Sequence, residues 1–201
     1  MAAADMLEVA FALEGDTVPP RHRFALSDAL RRALPWLAER PGAGVHRLKL
    51  VRCGEGELRV SPRTRLVLRV PRAHADATLA LAGAELALGS TRLRAVRPVV
   101  RELLAYGTLY APLVVSDGCD EAVFVAGLRT ALDALGVRAD PVCGRWQSVE
   151  DGLLVGCSVM LSGLDAAQSQ RVLQEGVGPH RLLGCGLFIP HKSAAAVGMP
   201  D

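Results

Sequence analysis

One order of apolar spacing occurs twice in this chain, and it restricts the fold more than any other feature. Met6–Leu13 alternates, with Leu7, Val9, Phe11 and Leu13 on one face, so a strand is predicted there. Gly15–Pro20 breaks it. Phe24–Leu37 follows helical spacing, with Leu26, Leu30, Ala33, Leu34 and Leu37 aligned and Pro35 marking its stop or kink. After a turn at Pro41–Gly44, strands are expected over Val45–Arg52, Leu58–Ser61 and Arg65–Val70. A second helix follows over Pro71–Ala82, then a strand pair around Gly89-Ser90 within Glu85–Val100. The pattern restarts at a Thr108–Val115 strand. A helix over Glu121–Leu135, strands over Pro141–Gln147 and Gly152–Leu161, a helix over Asp165–Glu175 capped by Asp165, and a last strand over Leu182–Ile189 complete it. Each half reads strand–helix–strand–strand–helix–strand, the order of a ferredoxin-like unit. The predicted class is α+β, two tandem ferredoxin-like (βαββαβ) domains with antiparallel sheets. They divide as residues 1–103 and 104–192, followed by a small-residue tail at 193–201 that is expected to fray.

Half of the 201 residues are hydrophobic and 22% are charged, so the chain can bury a core and is not of the disordered class. Its longest uncharged run, Leu103 to Ser116, is broken by Gly107 and Pro112 and falls short of the ~20 apolar residues of a membrane span. No basic stretch followed by an apolar core opens the chain, and the five cysteines form no CxxC. The expectation is a cytoplasmic protein without a membrane partner. The formal net charge of +2 hides an asymmetry. Residues 1–101 carry 17 Arg and Lys against 10 Asp and Glu, while residues 102–201 carry 6 against 11. Within 21–72 the count is 13 basic to 4 acidic, and arginine outnumbers lysine 21 to 2 over the chain. A polyanion would respond to this local excess, and the arginine fork suits phosphate.

After the last helix runs Gly176-Val177-Gly178-Pro179-His180-Arg181-Leu182-Leu183-Gly184-Cys185-Gly186-Leu187-Phe188-Ile189-Pro190. Its GxG precedes a strand instead of opening a helix, so it is no dinucleotide fingerprint. With the tandem pattern, and with a first helix of Leu-x-x-x-Leu type ending in hydrophobic-Pro, this run resembles the C-terminal glycine-rich loop of the CRISPR-associated repeat-RNA processing endoribonucleases of the RAMP superfamily. The likeness is to the type I branch first described in myxobacterial systems, and it covers Leu7 to Pro190. It implies a metal-independent endoribonuclease with no cofactor. The RNA's own 2′-hydroxyl would attack the adjacent phosphorus, leaving a 2′,3′-cyclic phosphate and a 5′-hydroxyl on the mature guide RNA. It also implies CRISPR repeat RNA, precursor and product, as partner, and membership of a multi-subunit type I effector. A non-catalytic RNA-binding subunit of the same superfamily is the alternative.

Such chemistry needs a base, an acid and positive charge at the phosphorane, and histidine suits the first two because its ordinary pKa of ~6.5 lies near working pH. Two branches of the family place a catalytic His within Leu-His-Gln-x-Leu of the first helix. Here Leu26-Ser27-Asp28-Ala29-Leu30 stands there, so Ser27 takes that place. One branch pairs its His with the Ser of a Gly-Val-Ser that opens the next strand. Here Gly44-Val45-His46 stands there. The resemblance therefore implies His46 as acid/base group and Ser27 as its orienting partner. His22, beside a helix N-terminus, is the rival. The second acid/base role is open between Ser27, another histidine and water. RNA contacts are expected from Arg21, Arg23, Arg31 and Arg47, from Arg65 and Arg69 on one strand face, and from His180 and Arg181. The amides at Gly184 and Gly186 are expected to approach phosphates. With only 4% aromatic residues, backbone and shape reading outweigh base stacking. No set of His, Cys or carboxylate residues has metal-ligand spacing.

Overall fold

Alternation decides which face of each strand is wet and which is dry. In β1 (Met6–Glu14), Leu7, Val9, Phe11 and Leu13 face a core, and Glu8, Ala10 and Ala12 face away. The same division holds in β6 (Arg65–Pro71), where Leu66, Leu68 and Val70 are fully buried. The computed structural model describes residues 5–40, 42–54, 57–116, 118 and 120–191. The expected frayed tail at 193–201 lies outside them.

The first half holds β1, β2 (Thr17–Val18), α1 (His22–Ala33), β3 (Gly44–Val45), β4 (Val51–Arg52), β5 (Leu58–Arg59), β6, α2 (Ala75–Leu79), β7 (Glu85–Leu88) and β8 (Thr91–Glu102). Its main sheet has the order β3-β6-β1-β8-β7, every neighbouring pair antiparallel. The second half holds β9 (Thr108–Val115), α3 (Glu121–Ala134), β10 (Val142–Val149), β11 (Leu154–Ser162), α4 (Ala166–Glu175) and β12 (Ile189–Pro190). These strands form the antiparallel order β10-β11-β9-β12. Both orders place the first and third strands of the unit centrally, the ferredoxin-like arrangement, with β7 added at the edge of the first sheet. Leu26, Ala29 and Leu30 of α1 close the first core. Phe124, Leu128 and Leu132 of α3 and Val172 and Leu173 of α4 close the second.

Four expectations need correction. Val45–Arg52 is not one strand. Gly44–Val45 pairs with β6, Leu48 then turns into the core, and Val51–Arg52 joins the small sheet β2-β5-β4. The breaker Gly15–Pro20 contains β2 of that same small sheet. The second helix is one short turn, α2, preceded by a 3-10 turn at Arg72–His74 and stopped by Gly83 at φ +87. Leu182–Ile189 is not a strand. Gly184 and Gly186 take left-handed φ of 79 and 67, which no strand accommodates, so only Ile189–Pro190 pairs with β9.

Candidate active site

The face of the first sheet turned away from α1 packs on the second half, and it carries charge. Glu8 and Arg69 are register partners across β1 and β6. The Arg69 side chain is 1% exposed. Its Nη1 donates to the Leu173 carbonyl at 2.8 Å, and its Nη2 to the Phe188 carbonyl at 2.8 Å and to Glu8 Oε1 at 2.6 Å. Arg69 is thus no RNA ligand. Arg65, on the same strand face as expected, is the one that reaches solvent, with its Nη1 donating to the Pro62 and Thr64 carbonyls.

His46 joins this buried group. Its Nε2 stands 2.8 Å from Glu8 Oε1, off the direction in which a ring N–H would donate. Burial lowers its pKa; Glu8 pulls the other way and Arg69 adds to the lowering. Burial pushes the Glu8 carboxyl up, but His46 and Arg69 outweigh it and hold it at about 2. Val45, one residue before His46 and so on the opposite face, packs in the cluster with Leu26 and Leu30 of the helix that carries Ser27. The sheet therefore separates His46 from Ser27, and the expected pair at one ribose does not form.

A different imidazole opens onto a cleft. His22 begins α1, and its Nδ1 donates to the Pro20 carbonyl at 3.3 Å, which leaves Nε2 as the acceptor. The cleft encloses about 850 Å³ and is lined by Arg47, Lys49 and Arg52 from the first half and by Gln147, Ser148 and Glu150 from the second. Partial burial lowers the His22 pKa, and the charge of Arg23 adds to that; the Pro20 and Pro19 carbonyls oppose it. That lowering favours the uncharged ring, the form a general base requires.

Interlocking of the halves holds α1 in this place. The helix has no side-chain cap of its own and no acidic residue in its first turn. Glu150 supplies the carboxylate instead: its Oε1 accepts from the Arg23 backbone N–H at 3.4 Å and lies 3.7 Å from Arg23 Nε. Arg23 Nη1 donates to the Leu183 carbonyl at 3.0 Å. Arg23 is 8% exposed, so it is a brace between halves and not the expected RNA ligand. Arg21, exposed at the cleft mouth, pairs with Asp151 at 2.6 Å. Arg47 is exposed on the cleft wall.

Ser27 lies elsewhere, in a second hollow of about 540 Å³ shared with Arg31, Arg40, His180 and Arg181. The turn His180–Leu183 forms part of its wall, with His180 exposed at φ 63. Gly184 and Gly186 do not offer their amides. Gly184 N–H donates to the Arg181 carbonyl and Gly186 N–H to the Leu113 carbonyl, and both residues are buried. Their expected phosphate contact is corrected on that ground. Gly186 is glycine because a Cβ there would stand 2.1 Å from the Val177 carbonyl oxygen, and Gly184 because its φ of 79 disfavours any side chain. Glu8, Glu150 and Asp151 were missed in the sequence. The Glu150-Asp151-Gly152 run signals a turn, but nothing local marks its contact with a helix over a hundred residues earlier. Among the described residues no group of three His, Cys, Asp or Glu side chains is placed to hold a metal ion, and no helix is long and apolar enough to cross a membrane.

The profile of the protein family described as "Cas6 Crispr" matches residues 7–193. The "CRISPR-associated endonuclease Cas6" of Myxococcus xanthus (strain DK1622) is 37% identical over 202 residues, covering 95% of this chain and 84% of that protein. Among solved structures, a "CRISPR associated protein Cas6" superposes with a TM-score of 0.65 at 11% identity, over 93% of this chain and 100% of that one. "An RAMP protein binding different RNA substrates" gives 0.65 at 11% identity, over 90% and 98%. The product of a "Cas6-related gene from Pyrococcus furiosus" gives 0.60 at 12%, over 92% and 98%. These structural likenesses are likenesses of fold, and the fold they share is the tandem ferredoxin-like one.

Proposed function

The chain belongs to the Cas6 family of CRISPR-associated proteins, and on that footing we propose that it cuts CRISPR repeat RNA in the cleft between its halves, with His22 as the base and without a metal. The observation that carries this reading is an imidazole whose Nδ1 is taken by the Pro20 carbonyl and which lines one cleft together with Arg47, Lys49 and Arg52. His22 Nε2 takes the proton from the 2′-hydroxyl. The 2′-oxygen then bonds to phosphorus as the bond to the 5′-oxygen breaks, and the leaving oxygen takes a proton from water at the open mouth. Products are a 2′,3′-cyclic phosphate and a 5′-hydroxyl. Arg47 and Lys49 supply charge to the phosphorane. Arg21, Arg31, Arg65, His180 and Arg181 are exposed or half-buried and extend the contact to the flanking RNA backbone.

We read residues 1–103 and 104–192 as two domains that build this cleft jointly. Retention of the mature guide RNA and assembly into a multi-subunit type I effector belong to the same reading. The test is digestion of repeat RNA in excess EDTA with analysis of the product ends. The expected result is undiminished cutting with cyclic phosphate and 5′-hydroxyl termini. Cutting that stops on chelation, or 5′-phosphate ends, contradicts it. Repeat binding with no cutting by the wild type makes the chain the RNA-binding subunit of the alternative reading.

A further inference from the structure

We propose that Arg69 is a positioning residue: it fixes both ends of the glycine-rich loop 176–188, and through that loop it sets where the RNA lies against His22. The second clause rests on the cleavage reading above. The loop leaves the second half at the end of α4 and returns to it at β12. Leu173, whose carbonyl belongs to the last turn of α4, has no helical partner in the following turn, because the helix ends at Glu175. Phe188 directly precedes β12. One guanidinium accepts the task of bonding both carbonyls, each at 2.8 Å, and Glu8 on β1 holds that guanidinium from behind at 2.6 Å. The middle of the loop is held by a second arginine of the first half, since Arg23 Nη1 donates to the Leu183 carbonyl at 3.0 Å.

The loop is thus strung between two arginines of the other half. One is buried under its ends, and the other is the immediate neighbour of His22. Arg69 touches neither cavity, so its effect on the reaction is indirect. A planar fork is needed for two carbonyls and a carboxylate at once. Lysine, a point charge on a flexible stem, keeps the charge but not the bracket. A displacement of about 1 Å at a reacting centre costs on the order of a hundred-fold in rate, so even partial slippage of the loop is readable.

The experiment compares Arg69→Lys with Val70→Ala, a core truncation on the same strand that lies on the opposite face. Single-turnover cleavage at saturating protein, affinity for repeat RNA and amide hydrogen exchange are measured on each. Arg69→Lys is expected to lower the saturated rate about ten-fold or more. Its affinity should change less than about three-fold, and exchange should quicken across 176–188. Val70→Ala is expected to lower the melting temperature while leaving the saturated rate within about two-fold and the loop's exchange as in the wild type. If the lysine variant does not fold, Arg69→Gln combined with Glu8→Gln, which strands neither member of the pair, is expected to show the same split. The proposal is overturned if the Arg69 variant keeps either its saturated rate or its loop protection, or if Val70→Ala reproduces both changes. Should the wild type not cut repeat RNA, the cleavage reading falls. Exchange still decides the loop: quickening confined to 176–188 upholds the bracket, and unchanged exchange overturns it.

Discussion

Glu8 and Arg69 meet at 2.6 Å under the second half, and a buried pair of this kind is costly to break from one side. Replacing Glu8 by Gln strands the Arg69 charge, and a loss of about 3–5 kcal/mol in unfolding free energy is expected, read by denaturant titration at pH 7. The pH dependence has a fixed sign. The folded Glu8 carboxyl lies at about 2, below its unfolded value of 4.5, so its contribution is complete above pH 4.5 and is lost as pH falls toward 2. The His46 pKa is also lowered by folding, so the unfolded chain takes that proton first as pH drops below 6.5, again favouring unfolding in acid. Glu8→Gln should flatten the acid limb of a melting-temperature profile between pH 4.5 and 2; an unchanged limb contradicts the assignment. At this scale the sequence was least legible. His46 and Arg69 look like surface strand residues when β3 and β6 are read alone, because alternation reports which residues share a face and not what covers it. A second half packed on that face converts two expected RNA-facing residues into an internal brace.

Elements with a strong local signal were readable, and those set by left-handed backbone were not. β1, β6, β9, α3 and α4 stand within a few residues of their expected spans, since each carries its own periodicity. The α4 start was legible to the residue: Asp165 accepts from the Gln168 N–H at 2.7 Å, and Gln168 returns the bond in a capping box. The start of α1 has no such local cap, because Glu150 of the other half provides it. The last strand failed for the opposite reason, as its apolar run is interrupted by glycines that twist it into a loop. Two of the glycines yield a prediction. Gly83 and Gly186 both have positive φ, but a Cβ at Gly83 meets nothing within 4 Å, whereas at Gly186 it meets the Val177 carbonyl at 2.1 Å. Gly83→Ala should cost about 1–2 kcal/mol from the left-handed backbone alone. Gly186→Ala should cost clearly more and shift the melting temperature further; equal shifts would contradict the packing described for the loop.

For the whole molecule, the order of six elements repeated twice was enough to reach the tandem ferredoxin-like fold, but the site between the repeats depends on how they meet. The charge asymmetry along the chain is partly used inside. Arg23 of the basic half pairs under cover with Glu150 of the acidic half and holds the start of α1 and its His22 at the cleft, while Arg21 meets Asp151 at the surface. Arg47 and Lys49, on the cleft wall, have no carboxylate partner among the described residues and remain for an anion. The resemblance drew His46 and Ser27 together by chain position; the packing of the halves brings His22 forward instead. The most direct test of this account is the single-turnover cleavage rate of repeat RNA in EDTA, followed from pH 5 to 8 for the wild type and for His22→Ala. The lowered His22 pKa predicts a rate that rises with a midpoint below 6.5 and is level above pH 7. It also predicts a loss of about a hundred-fold or more, with repeat binding retained, in the alanine variant. A His22→Ala protein that cuts at the wild-type rate, with the same pH profile, would contradict it.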